Sequence, residues 1–504
     1  MNNFLVVGVG PHARRSHLPA LAAGQSAGLV GTVCGVDLLG ATDVLVPYDA
    51  DDGPRSVPVT LIEPFDSRVP ALPEAVRRAL DAIVERRGID AVVVSTEPAY
   101  HMVYVRWALE RGLSVLLDKP LTVHAGCSVN PEKAEAILTD FDVLLECYSK
   151  ARRRFPQIMV SVQSQRRYHP AFWRMRQCIA EVTAETNCPV TSVTSFHSDG
   201  QWRLPDELLD ISYHGFDQGH GKAAHSGYHF FDIVPWLLQA GETNGKHLDT
   251  VDIHAHASRP TDFLAQLGVQ DHERLFPGFA ARNPYTEGEL RAATRLFGEV
   301  DAFISMAYKS SGRTMALGTI NLVHNGFSQR GSLTPAHASL YKGNGRVRHE
   351  SHIIMQGPFQ ALHFHSLQTL HDGTPSTDPY APGGERHVQV HVFRNSAFHP
   401  GWIKYASLNF GTLTASSDSQ VALPTQESSR RRATWEFLEY LAGRRTRDAM
   451  FSELTSHRRG ATLMAGAYLS MAQQWIGASP VSQLDFRTTP ESAPAVRTRM
   501  EAAR

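Results

Sequence analysis

The feature that most constrains this chain is a glycine turn near its start. An apolar run at residues 4–7 leads into Gly8-Val9-Gly10-Pro11-His12-Ala13, and an apolar pattern typical of a helix follows to residue 21. A strand, a tight glycine turn and a helix in this order predict a dinucleotide-binding unit. The pyrophosphate would lie on the free N–H groups at the helix N-terminus. An ordinary strand-to-helix turn is the alternative interpretation. The predicted cofactor contacts are Gly8, Gly10, Pro11, His12 and Ala13.

Length, charge and cysteine content restrict the class of protein. A chain of 504 residues predicts two domains. Its 49 basic and 50 acidic residues nearly cancel, which argues against a nucleic acid or a membrane surface as partner. The sequence shows neither a spanning apolar segment nor a signal peptide. Five scattered cysteines without a C-x-x-C pair predict no disulfide framework or structural zinc site, and favour a cytoplasmic setting.

An acidic residue at the end of the second predicted strand indicates which cofactor binds. The strand at residues 29–36 ends at Asp37, somewhat later than the usual acidic position after the glycine turn. A carboxylate there would accept hydrogen bonds from both ribose hydroxyls and repel a 2′-phosphate, and no arginine follows it. We therefore expect NAD rather than NADP. The alternative is an exposed acid that begins a loop.

Further strands predict a parallel sheet with one ligand-binding edge. Residues 89–95 and 115–117 read as buried strands separated by a helix, which is typical of right-handed crossovers. Ligands in such sheets bind beyond the carboxyl ends of the strands. The glycine turn, Asp37, Thr96–His101 and Asp118–Pro120 all fall at that edge. Lys119, at a strand end beside a proline, is expected to face the cleft; a solvated surface lysine is the alternative.

The composition changes after a polar cluster at residues 165–170, Gln-Arg-Arg-Tyr-His-Pro, which follows a strand at 158–162. Strand-like runs separated by turns occupy 189–420 and predict an antiparallel sheet with one solvated face. Residues 40–73, 260–299 and 370–386 read as irregular or loop-rich excursions. Helices around 433–441 and 462–475 end the pattern, and the tail after residue 489 is expected to be mobile. We predict a Rossmann domain at 1–168 and an α+β domain with a mainly antiparallel open sheet at 169–504.

A histidine-rich segment between residues 213 and 236 reads YHGFDQGHGKAAHSGYHFFDIVPW. His225 and His229 are four residues apart and would share one face of a helix, with Asp232 one turn further. Three interpretations remain open. His229 could act as a general base; His225, His229 and His220 could bind a metal; or the histidines could be packed structural residues. No H-E-x-x-H motif is present, so no metal is expected.

In the order and spacing of these motifs, the chain resembles the glucose–fructose oxidoreductase / inositol dehydrogenase (Gfo/Idh/MocA) family. The resemblance rests on the glycine turn, Asp37 and five further segments: Pro98-x-x-His101, Asp118-Lys119-Pro120, Arg167-Tyr168-His169-Pro170, Gly227-Tyr228-His229 and Asp232-x-x-x-Trp236. The family has Glu-Lys-Pro where this chain has Asp118, and an aspartate where it has His225. The chain is also longer than is usual for the family.

The resemblance implies an NAD(P)-dependent dehydrogenase acting on a secondary alcohol of a sugar, cyclitol or related polyol. Lys119 and His229 would be the catalytic pair. The predicted cofactor contacts then extend to Thr96, Pro98, His101, Asp118 and Lys119, and the predicted substrate contacts are Arg167, Tyr168, His169, His225 and Asp232. His197 and Trp202 are further candidates for hydroxyl contacts. A homo-oligomer, dimer or tetramer, through the open sheet face is also implied.

Two alternatives to a simple dehydrogenase remain. Transient oxidation could support a redox-neutral reaction by an epimerase, lyase or glycosidase, in which NAD is recycled. A non-catalytic nucleotide-binding protein would keep the glycine turn and would not require Lys119 or His229.

Overall fold

The computed structural model describes residues 1–41, 57–211, 214–333, 345–370, 378–415 and 426–487. The N-terminal part contains a six-stranded sheet in the order β3-β2-β1-β4-β5-β6, with every neighbouring pair parallel. This is the classical doubly wound order, whose switch point lies between β1 and β4. Its elements are β1 (Asn2–Val7), α1 (Leu18–Ser26), β2 (Val30–Leu38), β3 (Val59–Ile62), α2 (Glu74–Arg87), β4 (Ala91–Val94), α3 (His101–Glu110), β5 (Ser114–Leu117), α4 (Pro131–Arg154) and β6 (Val160–Val162).

The predicted α/β fold class is therefore confirmed, with one correction. The excursion predicted at residues 40–73 includes strand β3, which pairs with β2 at the sheet edge. Its short length and half-exposed residues weakened the periodic signal. Residues 42–56 of that excursion lie outside the described residues. The Asn130 side chain caps the N-terminus of helix α4, where it accepts a hydrogen bond from the Lys133 N–H at 3.2 Å.

The second part contains a nine-stranded sheet in the order β14-β13-β12-β11-β7-β10-β9-β8-β15. β7 and β10 run parallel, and the other neighbouring pairs run antiparallel. The elements are α5 (Pro170–Thr186), β7 (Ser192–Ser198), α6 (Glu207–Asp210), α7 (Tyr228–Leu238), β8 (Thr250–Ser258), α8 (Pro260–Gln266), α9 (Val269–Leu275), α10 (Phe279–Arg282), α11 (Glu287–Ala293), β9 (Asp301–Ser310), β10 (Arg313–Val323), β11 (Arg346–Gln356), β12 (Gln360–Leu370), β13 (Gln389–Arg394), β14 (Tyr405–Asn409), α12 (Phe410–Ala415), α13 (Gln426–Leu441), α14 (Arg458–Trp475) and β15 (Val481–Asp485).

The strands of this sheet alternate between a buried and a more exposed side, as the sequence predicted. In β9 and β10, buried Ile304 and Ile320 face the helices, whereas Phe303 and Leu317 are exposed. The predicted loop at 260–299 is wrong in part, because four short helices, α8–α11, occupy most of it and pack around a separate apolar cluster. Residues 371–377 and the tail from residue 488 lie outside the described residues.

Helix α13 returns from the C-terminal part to the first sheet. Phe437 and Leu438 are buried with Phe4, Val6 and Leu21, and the rings of Phe4 and Phe437 lie 6.4 Å apart edge to face. One face of the Rossmann sheet is thus completed by a helix more than 400 residues away along the chain. The domain boundary at residue 168 stays a prediction. Among the described residues, no helix has the length and apolar character needed to cross a membrane.

Candidate active site

The glycine turn leaves space for a dinucleotide in the way its sequence predicts. Gly8 has a φ of +85°, and a Cβ there would come within 2.5 Å of the Ser95 carbonyl oxygen. Gly10, by contrast, has no heavy atom within 4 Å of its Cβ position, so the backbone is open to a ligand. Ala13 is fully buried against the sheet. Gly8 is needed by the fold, and Gly10 fits a pyrophosphate that approaches the backbone.

The helix after the turn begins with a π-helical turn at Ala13–His17 rather than with regular α-helix. The wider turn lets His12 and His17 converge on Asp118, which accepts a hydrogen bond from His17 Nε2 at 2.9 Å and lies 3.6 Å from His12 Nε2. Ser95 Oγ also donates to Asp118, at 2.6 Å. Burial opposes ionisation of this carboxyl, but the two histidines outweigh it and hold its pKa well below the usual range.

Asp37 lies where the sequence predicted, at the end of β2 beside the glycine turn. One carboxylate oxygen accepts a hydrogen bond from the Val9 N–H at 2.8 Å, and the other accepts from Leu38 N–H at 2.8 Å. Each oxygen retains a further lone pair. The position suits a ribose diol and would repel a 2′-phosphate.

Thr96 and Pro98 lie partly exposed at the same edge, but His101 does not face the cleft. The His101 ring is fully buried, and its two nitrogens lie 3.0 and 3.1 Å from the carbonyl oxygens of Pro120 and Thr96. Burial lowers its pKa. The prediction of a cofactor contact at His101 is therefore not supported; this side chain ties together the two loops that carry Thr96 and Lys119.

Lys119 joins the first sheet to the histidine segment. Its ammonium group donates to the backbone carbonyl of His225 at 2.8 Å. His225 lies in a second π-helical turn, Ala223–Gly227, and its ring stacks on His214 with centroids 3.4 Å apart. His225 and His229 therefore do not lie on one regular α-helix as predicted, because α7 begins only at Tyr228. Burial, with His214 and Lys119 nearby, keeps the pKa of His225 well below its usual value.

His229 faces a relay of hydrogen-bonding groups. Arg430 Nε donates to Gln165 Oε1 at 2.6 Å, so the amide nitrogen of Gln165 points to His229 Nε2 at 3.5 Å. This orientation makes Nε2 the unprotonated ring nitrogen. Nδ1 is buried and has no hydrogen-bond partner among the described residues. Burial, followed by Lys119, Arg166 and Arg430, lowers the pKa of His229 well below its usual value, so the imidazole is neutral at pH 7.

Arg167, Tyr168 and Asp232 form a buried network instead of the predicted substrate contacts. Arg167 makes two bonds to Asp232, at 2.5 and 3.1 Å, and also donates to the Phe451 carbonyl at 2.8 Å. His457 Nδ1 lies 3.0 Å from the same carboxylate. The hydroxyl of Tyr168 donates to Glu436 at 2.5 Å. Every one of these groups is engaged by protein, so they join β6, α7 and the C-terminal segment.

His169 is also structural. It precedes helix α5, where its Nδ1 accepts the Ala171 N–H at 3.2 Å, and its ring packs edge-on against Phe172 and Phe364. Burial lowers the pKa of His169 to about 4. His197, proposed as a hydroxyl contact, accepts from the buried Lys222 ammonium at 2.9 Å. Trp202 donates to His272 at 3.2 Å, away from His229.

The sequence did not predict which residues approach His229. Gln165 and Arg166 belong to the polar cluster that the sequence singled out, but it was their neighbours that we expected to bind substrate. Arg430 comes from α13, 265 residues beyond Gln165. No local signal connects these positions. Ser226, Ser429 and Gln163 also carry a buried side-chain oxygen without a partner among the described residues.

The metal interpretation of the histidine segment receives no geometric support. His220 does not gather with His225 and His229 into a three-ligand group. Within the described ranges, the group of three with ligand atoms close enough for one ion is His12, His17 and Asp118, at the glycine turn.

The fold and this edge define an NAD-binding oxidoreductase. Residues 2–141 match the family GFO_IDH_MocA, described as an oxidoreductase family with an NAD-binding Rossmann fold. The match over residues 2–141 confirms the resemblance drawn from the motifs and the prediction of NAD as cofactor. No curated protein sequence matches the chain.

Solved structures share the fold over nearly the whole chain at low identity. An oxidoreductase domain protein from Kribbella flavida has a TM-score of 0.55 and 12% identity, covering 97% of this chain and 100% of its own. Aldose-aldose oxidoreductase from Caulobacter crescentus, complexed with glycerol, has a TM-score of 0.51 and 10% identity, covering 96% and 99%. An oxidoreductase from Pseudomonas syringae has a TM-score of 0.50 and 13% identity, with the same coverage. These similarities concern the fold alone.

Proposed function

We propose that this protein is an NAD-dependent dehydrogenase that oxidises a secondary alcohol of a sugar, cyclitol or related polyol. The observation that carries the proposal is the contact of Lys119 with the segment that holds His229. Lys119 bonds to the carbonyl of His225, four residues before His229, and its charge is a principal cause of the lowered pKa of His229. A neutral imidazole and an ammonium group at the ligand-binding edge are suited to proton transfer from an alcohol.

The residues have complementary roles in this proposal. His229 Nε2 accepts the hydroxyl proton, and the Arg430–Gln165 relay keeps that nitrogen unprotonated beforehand. Lys119 donates a hydrogen bond to the reacting oxygen and stabilises the negative charge that develops on it. NAD, when bound, supplies the hydride acceptor. Asp37 would hold its ribose hydroxyls and the turn at Gly8 and Gly10 its pyrophosphate.

Ser226 and Ser429 follow and precede His225 and Arg430 directly, Gln163 donates to the Arg430 carbonyl, and each of the three has a buried side-chain oxygen without a partner among the described residues. Buried polar atoms are seldom left without partners, and substrate hydroxyls would satisfy them. The exposed sheet face, with Phe303, Leu317 and Tyr405 uncovered, supports a homo-oligomer. A monomeric mass by light scattering at working concentration would contradict that part of the proposal.

The test is absorbance at 340 nm with purified protein, NAD and a panel of cyclitols, aldoses and amino sugars, beside a parallel NADP series. We expect a rise with NAD and one class of polyol. His229→Asn and Lys119→Met should each lower kcat, by about 10²–10⁴-fold for His229, while NADH binding persists. Product detected by mass spectrometry only when NAD is present, with no absorbance rise, would instead indicate a redox-neutral reaction. NAD binding without conversion of any substrate would contradict the proposal.

A further inference from the structure

Basic side chains predominate among the groups that act on His229. Lys119 follows β5, Arg166 follows β6 and Arg430 lies in α13, and all three act electrostatically on the His229 imidazole. The groups that act most strongly on the pKa of His229 are these three cations and His225, all of them basic. Glu350 is the carboxylate that neutralises Arg166, through bonds of 2.6 and 2.9 Å, and it also accepts from His352 at 3.1 Å.

One nitrogen of the Arg166 guanidinium has no hydrogen-bond acceptor among the described residues. Its Nε and Nη2 form the fork that holds Glu350, and its guanidinium carbon lies 4.5 Å from the centroid of the Phe230 ring, the residue after His229. The third nitrogen, Nη1, is buried without a hydrogen-bond partner among the described residues, and the side chain is 9% exposed. A buried guanidinium donor without an acceptor is costly, because the lost hydration is not replaced.

We propose that the substrate carries an oxyanion, a carboxylate or a phosphate, and that Arg166 Nη1 binds it while Lys119 and His229 act on a neighbouring carbinol. This inference rests on the proposed dehydrogenase function and narrows its substrate to an acidic polyol. An oxyanion supplies the acceptor that the buried Nη1 lacks. Charge-assisted bonds of this kind also fix the orientation of the substrate against the reacting carbon.

The experiment compares matched substrates that differ only in the anionic group. Glucose, glucuronate and glucose 6-phosphate, with galactose and galacturonate, are assayed by NADH formation, and their binding to the NADH-loaded protein is measured by calorimetry. We expect kcat/KM for at least one acidic member to exceed that of its neutral parent by roughly 10- to 100-fold, the range expected for one hydrogen bond to a charged group. The carboxylate and phosphate arms identify which oxyanion is preferred.

A pair of variants keeps the fold while changing the charge. Arg166→Gln alone would leave Glu350 buried and unpaired, so the double variant Arg166→Gln, Glu350→Gln is used, which replaces the ion pair by two amides of similar shape. We expect it to lose the preference for the acidic substrate. Glu350→Gln alone is the matched control, because it retains the guanidinium and should retain the preference. It leaves Arg166 without its counter-charge, so it is assayed at a temperature at which a thermal melt shows that it is folded.

Three outcomes would overturn the inference. Neutral polyols oxidised as efficiently as their acidic counterparts would contradict it and leave the dehydrogenase function standing. An acid preference that survives in the double variant would show that Arg166 does not bind the anion. If no polyol forms NADH and no acidic member binds the NADH-loaded protein, the proposed function fails together with its refinement.

Discussion

Asp232 and His229 lie three residues apart in α7 but should respond to mutation in opposite ways. Asp232 is fully buried and bonds to Arg167, His457 and Ser164. Asp232→Asn keeps the shape but leaves the Arg167 guanidinium buried without its counter-charge. Breaking a buried pair from one side costs about 3–5 kcal/mol. At about 2.1 cal/mol/K of unfolding entropy per residue, a chain of 504 residues shifts by about 1 °C per kcal/mol, so the melting temperature should fall by about 3–5 °C.

His229→Asn should behave as an active-site change. The ring has one long contact to Gln165, at 3.5 Å, so little stability is lost when it is replaced. We expect a melting temperature near that of the wild type and a kcat reduced by about 10²–10⁴-fold. The assay for both variants is a thermal melt with and without NADH, followed by turnover at a temperature at which both remain folded.

The stability that Asp232 contributes also depends on pH in a defined direction. Arg167 and His457 outweigh the effect of burial and lower its pKa below the ordinary value in the folded protein. The carboxylate therefore stabilises the fold fully above its unfolded pKa, and this contribution is lost as the pH falls below about 5. Asp232→Asn should flatten that part of the stability profile. A variant that melts with the wild type yet loses turnover would refute the structural role of Asp232 and restore the predicted substrate contact.

Three further predictions concern the cofactor site and the base. Gly8→Ala should lower the melting temperature of the NAD-free protein, since a Cβ would come within 2.5 Å of the Ser95 carbonyl oxygen at a φ of +85°. Gly10→Val should leave that melting temperature unchanged and weaken NAD binding in a fluorescence titration. Equal melting temperatures for the two variants would contradict this assignment. Asp37→Asn should raise the KM for NAD by roughly tenfold and reduce the discrimination against NADP; an unchanged NAD/NADP ratio would remove Asp37 from the ribose site. Because the pKa of His229 is lowered, the base stays unprotonated as the pH falls, so kcat/KM should remain level through pH 6.5 and decline only well below it. A fall in kcat/KM near pH 6.5 would contradict a buried base with a lowered pKa.

The sequence predicted the Rossmann sheet because its signals are local. Each buried strand is a short apolar run. The residues that begin or end the following turn or helix lie within a few positions of it. Gly8, Gly10 and Asp37 could be assigned for the same reason, since the turn chemistry and the strand end specify their positions without knowledge of the rest of the chain. Lys119 is a similar case, because its strand end and the following proline place it at the ligand edge.

Only the tertiary structure decided which polar residues face the cleft. Arg166 and Arg167 are neighbours of the same type, but Arg167 enters the interior to pair with Asp232, while Arg166 pairs with Glu350 beside Phe230. The partners are 65 and 184 residues away, and Arg430 reaches Gln165 from 265 residues away. Hydrophobic periodicity is set by neighbours along the chain, whereas the direction of a buried charge is set by the counter-charge that folding brings to it. The sequence alone therefore predicted the glycine turn and the strand ends of the ligand edge, whereas long-range packing decided which polar side chains lie near His229 and which, like His101 and Arg167, lie in the interior.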